Sequence, residues 1–203
     1  MPETERFRLF IAVSIPDEVK ARIAEAQAEL RRVLTERTVR WARREQFHLT
    51  LRFLGDVEVA RVEPLGEAIR AACRGFGALH LAARGIGCFP DLRRPRVVWA
   101  GIADQADQLP RLQAAVELAA GEYTTEPKEE RFTGHVTLAR LRGIRRPEAE
   151  ALAKALAGGA DRVFGQWTAC QVDLMRSELL PQGARHAALA SFALTPAVKT
   201  EIC

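Results

Sequence analysis

Cysteine and histidine are scarce in this chain, four of each in 203 residues. Cys73, Cys88, Cys170 and Cys203 form no Cys-x-x-Cys pair and show no spacing suited to zinc. They sit among apolar neighbours or at the terminus, and read as the reduced thiols of a cytoplasmic protein. The histidines lack carboxylate or cysteine companions at ligand spacing, so neither a metal nor any other cofactor is expected. No glycine-rich phosphate loop is present, which removes the dinucleotide-binding folds. The start Met1-Pro2-Glu3-Thr4-Glu5 is polar and acidic, unlike a secretory signal. No apolar run approaches the roughly 20 residues needed to span a bilayer, so no membrane partner is expected.

What remains is ordinary soluble composition, 48% apolar and 28% charged, in a length that suits a single bilobal domain over residues 1–203. A net charge of +4 fits an anionic partner. The arginines gather as Arg40, Arg43 and Arg44, as Arg93, Arg94 and Arg96, and as Arg140, Arg142, Arg145 and Arg146.

Period-two alternation predicts a first strand over Arg6 to Ile15, buried on both faces. Pro16-Asp17 then opens a helix to about Thr35, with Val19, Ile23, Ala26, Leu30 and Leu34 inward. A short extended piece, Val39 to Trp41, leads to a strand ended by Gly55-Asp56. A second helix is expected over Val57 to Arg74, then strands around Leu79 to Gly85 and Arg96 to Gly101. Between those strands, Phe89 to Pro95 is a basic loop placed to contact substrate. A helix over Leu109 to Ala120 follows, then a surface loop from Gly121 to Arg131 and a strand from Phe132 to Leu141. Pro147 opens a fourth helix with Leu152 and Leu156 inward. Phe164 to Leu179 and Arg185 to Leu194 read as one hairpin around Pro181-Gln182-Gly183. The pattern predicts an α+β fold.

Two of these strands carry the same signature. Phe47-His48-Leu49-Thr50-Leu51 and Gly134-His135-Val136-Thr137-Leu138 each hold His-x-Thr-Leu, with the histidines 87 residues apart. Side chains alternate along a strand, so His48 and Thr50 share one face, as do His135 and Thr137. An imidazole beside a hydroxyl is half of a phosphate-handling site: a proton-transfer group and a donor for an anionic oxygen. One neutral and one charged ring, facing each other, could take a proton from water and give one to a departing alkoxide. Arg52 shares parity with His48 and Thr50, and could point at phosphate. Arg140, five residues past His135, is out of phase unless the strand bulges. Phe10, Phe89 and Trp99 are candidates for stacking a base, while His80 and His186 read as structural.

On these two motifs, with Arg8-Leu9-Phe10-Ile11-Ala12-Val13 and Pro16, Pro95-Arg96-Val97-Val98-Trp99, Ser177-Glu178-Leu179-Leu180-Pro181-Gln182-Gly183 and Phe192-Ala193-Leu194, the chain resembles the two-histidine (2H) phosphoesterases. Within them it is similar to the RNA 2′,3′-cyclic phosphodiesterases, also called 2′-5′ RNA ligases. The resemblance implies two similar lobes, each a small antiparallel sheet with helices packed outside and one motif strand facing a shared cleft. It implies that His48 is the proton donor to the leaving O3′ and His135 the acceptor that activates water, aided by Thr50 and Thr137, with Arg140 binding substrate. A 2′,3′-cyclic phosphate would then open to a 2′-phosphomonoester, and a 5′-hydroxyl in place of water would give a 2′-5′ bond. The implied partner is RNA ending in 2′,3′-cyclic phosphate, tRNA fragments among them, met by a monomer. The competing readings are a phosphodiesterase for another cyclic nucleotide or a 2′-5′ oligoadenylate, and a non-catalytic nucleotide- or RNA-binding module. The chain departs from the family at Gly134, where proline is usual, and at His186, where an aromatic is common. If the family's backbone holds there, Gly134→Pro should stabilise by about 0.4–1 kcal/mol.

Overall fold

The computed structural model describes residues 5–128, 131–180 and 183–196. The α+β expectation holds, and the sheets explain where the motif strands lie. β1 (Arg6–Ser14) runs through the middle of a four-stranded antiparallel sheet, between β3 (His48–Glu58) and β9 (Gln171–Leu180), with β10 (Gly183–Ala193) at the far edge. Its central position is why Leu9 to Val13 are all buried. A second antiparallel sheet of five strands has the order β2 (Val39–Trp41), β7 (His135–Leu141), β6 (Val97–Asp104), β5 (Leu79–Phe89) and β8 (Val163–Ala169). β4 (Arg74–Gly75) and β11 (Thr195–Pro196) form a short parallel pair.

Among the described residues four α-helices cover these sheets, and two of them cross between them. α1 (Asp17–Arg31) follows β1 of the first sheet but lies on the second, where Val19 packs against Gly165 of β8. α3 (Gln108–Ala120) follows β6 of the second sheet but lies on β3 of the first, beside α2 (Val62–Cys73). α4 (Arg146–Gly158) stays on the second sheet, with Gly159 accepting from the Ile86 amide. Val19, Ile23, Ala26, Leu30 and Leu34 are buried as their spacing predicts, and α2 buries Leu65, Ile69 and Cys73. None of the described helices is long and apolar enough to cross a membrane.

Several boundaries move, each for a local reason. α1 stops at Arg31 because Thr35 instead gives its amide and hydroxyl to Glu148 of α4. β3 does not end at Gly55-Asp56: Gly55 adopts φ +66°, open only to glycine at little cost, and the strand resumes to Glu58. That extension delays α2 to Val62. The expected long strand from Phe164 is two strands, β8 and β9, divided at Cys170 and placed in different sheets. The turn at Pro181-Gln182 lies outside the described residues.

A cleft built from two bulged half-sites

Both motif strands carry a bulge at the same point. In β3 the pairing with β1 steps from Thr50 to Arg52, leaving Leu51 as the extra residue. In β7 the pairing with β6 steps from Thr137 to Ala139, leaving Leu138. An extra residue reverses the facing of everything beyond it. His48, Thr50, His135 and Thr137 keep the common facing set by parity, and all four line one cleft of about 290 Å³. Past the bulges, Phe53 and Arg140 return to that cleft while Arg52 and Ala139 turn to the buried side.

This corrects the expectation for Arg52. Its side chain is 5% exposed and points at α3, where Nε lies 3.4 Å from Glu117 Oε1. Its Nη1 and Nη2 donate to the carbonyls of Pro127 and Glu126, each at 2.7 Å. The segment read as a surface loop therefore closes over a buried charge. The condition attached to Arg140 is met, because the bulge at Leu138 restores its phase.

Each bulge carbonyl accepts from a glutamine on a crossed-over helix. Gln27 of α1 donates Nε2 to Leu138 O and to Ala42 O, both at 2.8 Å. Gln113 of α3 reaches Leu51 O at 3.4 Å and Glu117 Oε2 at 3.4 Å. Both glutamines are buried, 6% and 7% exposed; Gln27 is the one polar residue on the buried face of α1, and Gln113 shares the buried face of α3 with Glu117. Polar residues within an apolar stripe were the available sequence signal for them.

Nδ1 of His135 lies 2.7 Å from Thr133 O; a carbonyl can only accept, so Nδ1 carries the hydrogen and Nε2 is the basic nitrogen of the neutral ring. The backbone of Gln46, two residues upstream, favours the charged form of His48. The surroundings of the two rings differ. The Phe89 ring stands edge-on to His135 at 5.0 Å. His48 stacks on Phe10 at 4.7 Å and meets His186 edge-on at 5.4 Å. Burial first, then repulsion from a charged His186, bring His48 down from 6.5 to about 4, against the pull of the Gln46 backbone.

His186, read from sequence as structural, lines the cleft, because β10 pairs it with Ser177 of β9 on the cleft face. Its own pKa is lowered by burial and by Arg43, and its buried Nδ1 has no hydrogen-bond partner among the described residues. His80 is exposed on β5, 3.2 Å from Thr168 Oγ1, as expected of a surface strand. Phe10 is the floor beneath His48, only 3% exposed. Arg8, also on the cleft wall, lies over the Phe53 ring at 5.0 Å. Among the described residues no three histidine, cysteine or carboxylate side chains gather as a metal site.

Two lobes that each bring one His-x-Thr strand to a common cleft have the architecture of a two-histidine phosphoesterase. The comparisons with known proteins agree. The model of the LigT-like phosphoesterase family matches twice, over residues 13–99 and 101–186, once for each motif strand, and the chain belongs to that family. A relative from Aeropyrum pernix named RNA 2′,3′-cyclic phosphodiesterase is 37% identical over 139 residues, 68% of this chain and 77% of its own length. One of the same name from Thermus thermophilus is 34% identical over 196 residues, 92% of this chain and 90% of its own. Among solved structures, TT0787 of Thermus thermophilus superposes with a TM-score of 0.73 at 30% identity, covering 92% of this chain and 97% of that one. LigT of E. coli, solved with 3′-AMP, superposes with a TM-score of 0.74 over 94% of this chain and 99% of its own. At 23% identity that likeness is one of fold.

Proposed function

We propose that this chain opens 2′,3′-cyclic phosphate ends of RNA to 2′-phosphomonoesters by two-histidine acid–base catalysis. The observation that supports this most is the convergence of both His-x-Thr pairs on one cleft in a family whose named relatives are RNA 2′,3′-cyclic phosphodiesterases. His135 takes a proton from water on Nε2, water attacks phosphorus, the P–O3′ bond breaks, and His48 gives its proton to O3′. Attacking and leaving oxygens lie on opposite sides of phosphorus, which suits rings carried on two different sheets. The Thr50 and Thr137 hydroxyls donate to the non-bridging oxygens, and Arg140 binds substrate from the His135 wall of the cleft. A 5′-hydroxyl in place of water turns the same steps into 2′-5′ ligation, and their reverse into cleavage of a 2′-5′ bond.

These roles require something of His48. In the ligand-free cleft its low pKa keeps it neutral at pH 7, whereas a donor must be charged. A phosphate anion between the rings favours the charged form, so its binding would draw the missing proton onto His48 from solvent. His48→Ala and His135→Ala should each slow hydrolysis of a cyclic-phosphate RNA by about a hundredfold or more, the scale of losing a positioned acid or base. Thr50→Val and Thr137→Val should be milder. Phosphorus NMR should show a 2′-phosphate product; a 3′-phosphate alone would reverse the leaving group, and folded histidine variants at wild-type rate would end the mechanism.

A further inference from the structure

Two arginines on the His135 wall stand in a place that folding alone does not explain. Arg40 of β2 and Arg140 of β7 are directly opposite each other in the antiparallel pairing, and both line the cleft. Like charges at opposed positions destabilise a sheet. Among the described residues neither side chain has a carboxylate or carbonyl partner, whereas Arg43, Arg44 and Arg52 all donate to backbone carbonyls. An exposed, opposed and unneutralised pair of guanidinium groups is a site for a phosphate, which two such forks can hold together.

The two half-sites differ at this point. Counting 87 residues back from Arg140 gives Phe53, so the first lobe places an aromatic ring, with the single Arg8 laid over it, where the second places the arginine pair. The substrate has a matching difference, since the leaving side of phosphorus is always ribose and the attacking side is water or an incoming strand. His135, the residue assigned to the attacking side, lies on the same strand and face as Arg140. Four steps of strand rise, with the bulge absorbing one residue, put their Cα atoms about 13 Å apart. Two side chains reaching inward from those positions can span a 5′-oxygen and the next phosphate along its strand.

We propose that Arg40 and Arg140 form a second phosphate subsite, which holds the first phosphodiester of the 5′-hydroxyl RNA strand that replaces water in 2′-5′ bond formation and is released in its cleavage. This rests on the cyclic phosphodiesterase reading and its assignment of His135 to attack. In the joining direction the 5′-oxygen bonds to phosphorus as P–O3′ breaks, His135 accepts the 5′-hydroxyl proton and His48 donates to O3′, so protons balance and no co-reactant is required.

The test uses two 2′-5′-linked oligonucleotides, one whose strand beyond the 2′-5′ bond is a single nucleoside and one in which it carries a further phosphodiester. Hydrolysis of RNA ending in 2′,3′-cyclic phosphate serves as the reference. The wild-type protein should cleave the phosphate-bearing oligonucleotide with about tenfold higher kcat/KM, the scale of one charge-assisted contact. Arg40→Gln should bring that ratio close to one. Its melting temperature should hold or rise, since a like-charge pair has been removed. An unchanged ratio in Arg40→Gln would overturn the subsite, as would a lowered melting temperature with equal loss on both oligonucleotides. Equal loss on the cyclic-phosphate RNA would move the pair to the leaving strand and also overturn it. Failure of the wild-type protein on the cyclic-phosphate RNA would instead refute the underlying function.

Discussion

The lowered pKa of His48 ties stability and binding to the same proton. Above pH 6.5 the ring is neutral in both the folded and unfolded chain and contributes no pH dependence. Between 6.5 and about 4 the unfolded chain takes up a proton that the folded one refuses, so stability falls as the solution is acidified. Below about 4 the full penalty is present. At 1.36 kcal/mol per pKa unit it comes to roughly 3 kcal/mol, a sizeable part of a typical 5–15 kcal/mol domain stability. For a chain of this size that corresponds to roughly 6–12 °C of melting temperature. His48→Phe, which keeps the stack on Phe10, should abolish this component, so the difference between variant and wild-type melting curves isolates it from the carboxylates.

The same proton should return when an anion enters the cleft. Sulfate keeps its charge throughout this range, so calorimetric titration with sulfate at pH 6, repeated in buffers of different ionisation enthalpy, should report uptake approaching one proton per sulfate bound. His48→Phe should lose most of that uptake. NMR titration of the ligand-free protein that placed His48 near 6.5, or sulfate binding without proton uptake, would refute the reasoning. His48 would then lack the coupling that its proposed donor role requires.

Other consequences are read more simply. Arg52→Met should destabilise by about 3–5 kcal/mol, because it leaves Glu117 buried without its partner; an unchanged melting temperature with collapsed activity would restore Arg52 to the substrate site. Gln27→Leu strands the Ala42 carbonyl and should cost about 1–3 kcal/mol, with kcat/KM falling as the Leu138 bulge loosens; full activity at a lowered melting temperature would separate the bulge from catalysis. Gly134→Pro, expected from sequence to stabilise, should instead lower the melting temperature. A Cβ at Gly134 would sit 2.8 Å from Ile102 O and 3.1 Å from Leu109 Cδ2, an overpacking that costs about 1–3 kcal/mol, and a raised melting temperature would refute the close approach.

How far the sequence reached depended on which distance set each feature. His48, Thr50, His135 and Thr137 were legible because alternation along a strand is local, and two residues suffice to define a face. Arg52 was misplaced because its facing is set by the step in pairing with β1, and nothing about Leu51 announces that it is the bulged residue. Thr35 left the helix for Glu148, 113 residues away. His186 reached the cleft through the partner that β9 supplies, Ser177. Gly134 was judged by backbone preference, but its φ is not left-handed; the approach of β6 and α3 is what excludes a side chain there.

The paired bulges also explain why two similar lobes are useful for this chemistry. A phosphorus under in-line attack carries an entering and a leaving oxygen on opposite sides, and each needs a proton-transfer group with a hydroxyl beside it. Repeating one strand supplies both with the same local geometry, so on the proposed mechanism the equivalence of His48 and His135, and of Thr50 and Thr137, would answer a near-symmetric transition state. Substrate asymmetry then has to be read where the repeats diverge. Around His48 they diverge through Phe10, on which the ring stacks, and His186, whose charge adds to burial in lowering the His48 pKa. Beyond the bulges they diverge through Phe53 on one wall and Arg140 with Arg40 on the other. On the proposed mechanism the shared positions carry the reaction, and the divergent ones would decide which way round the RNA lies.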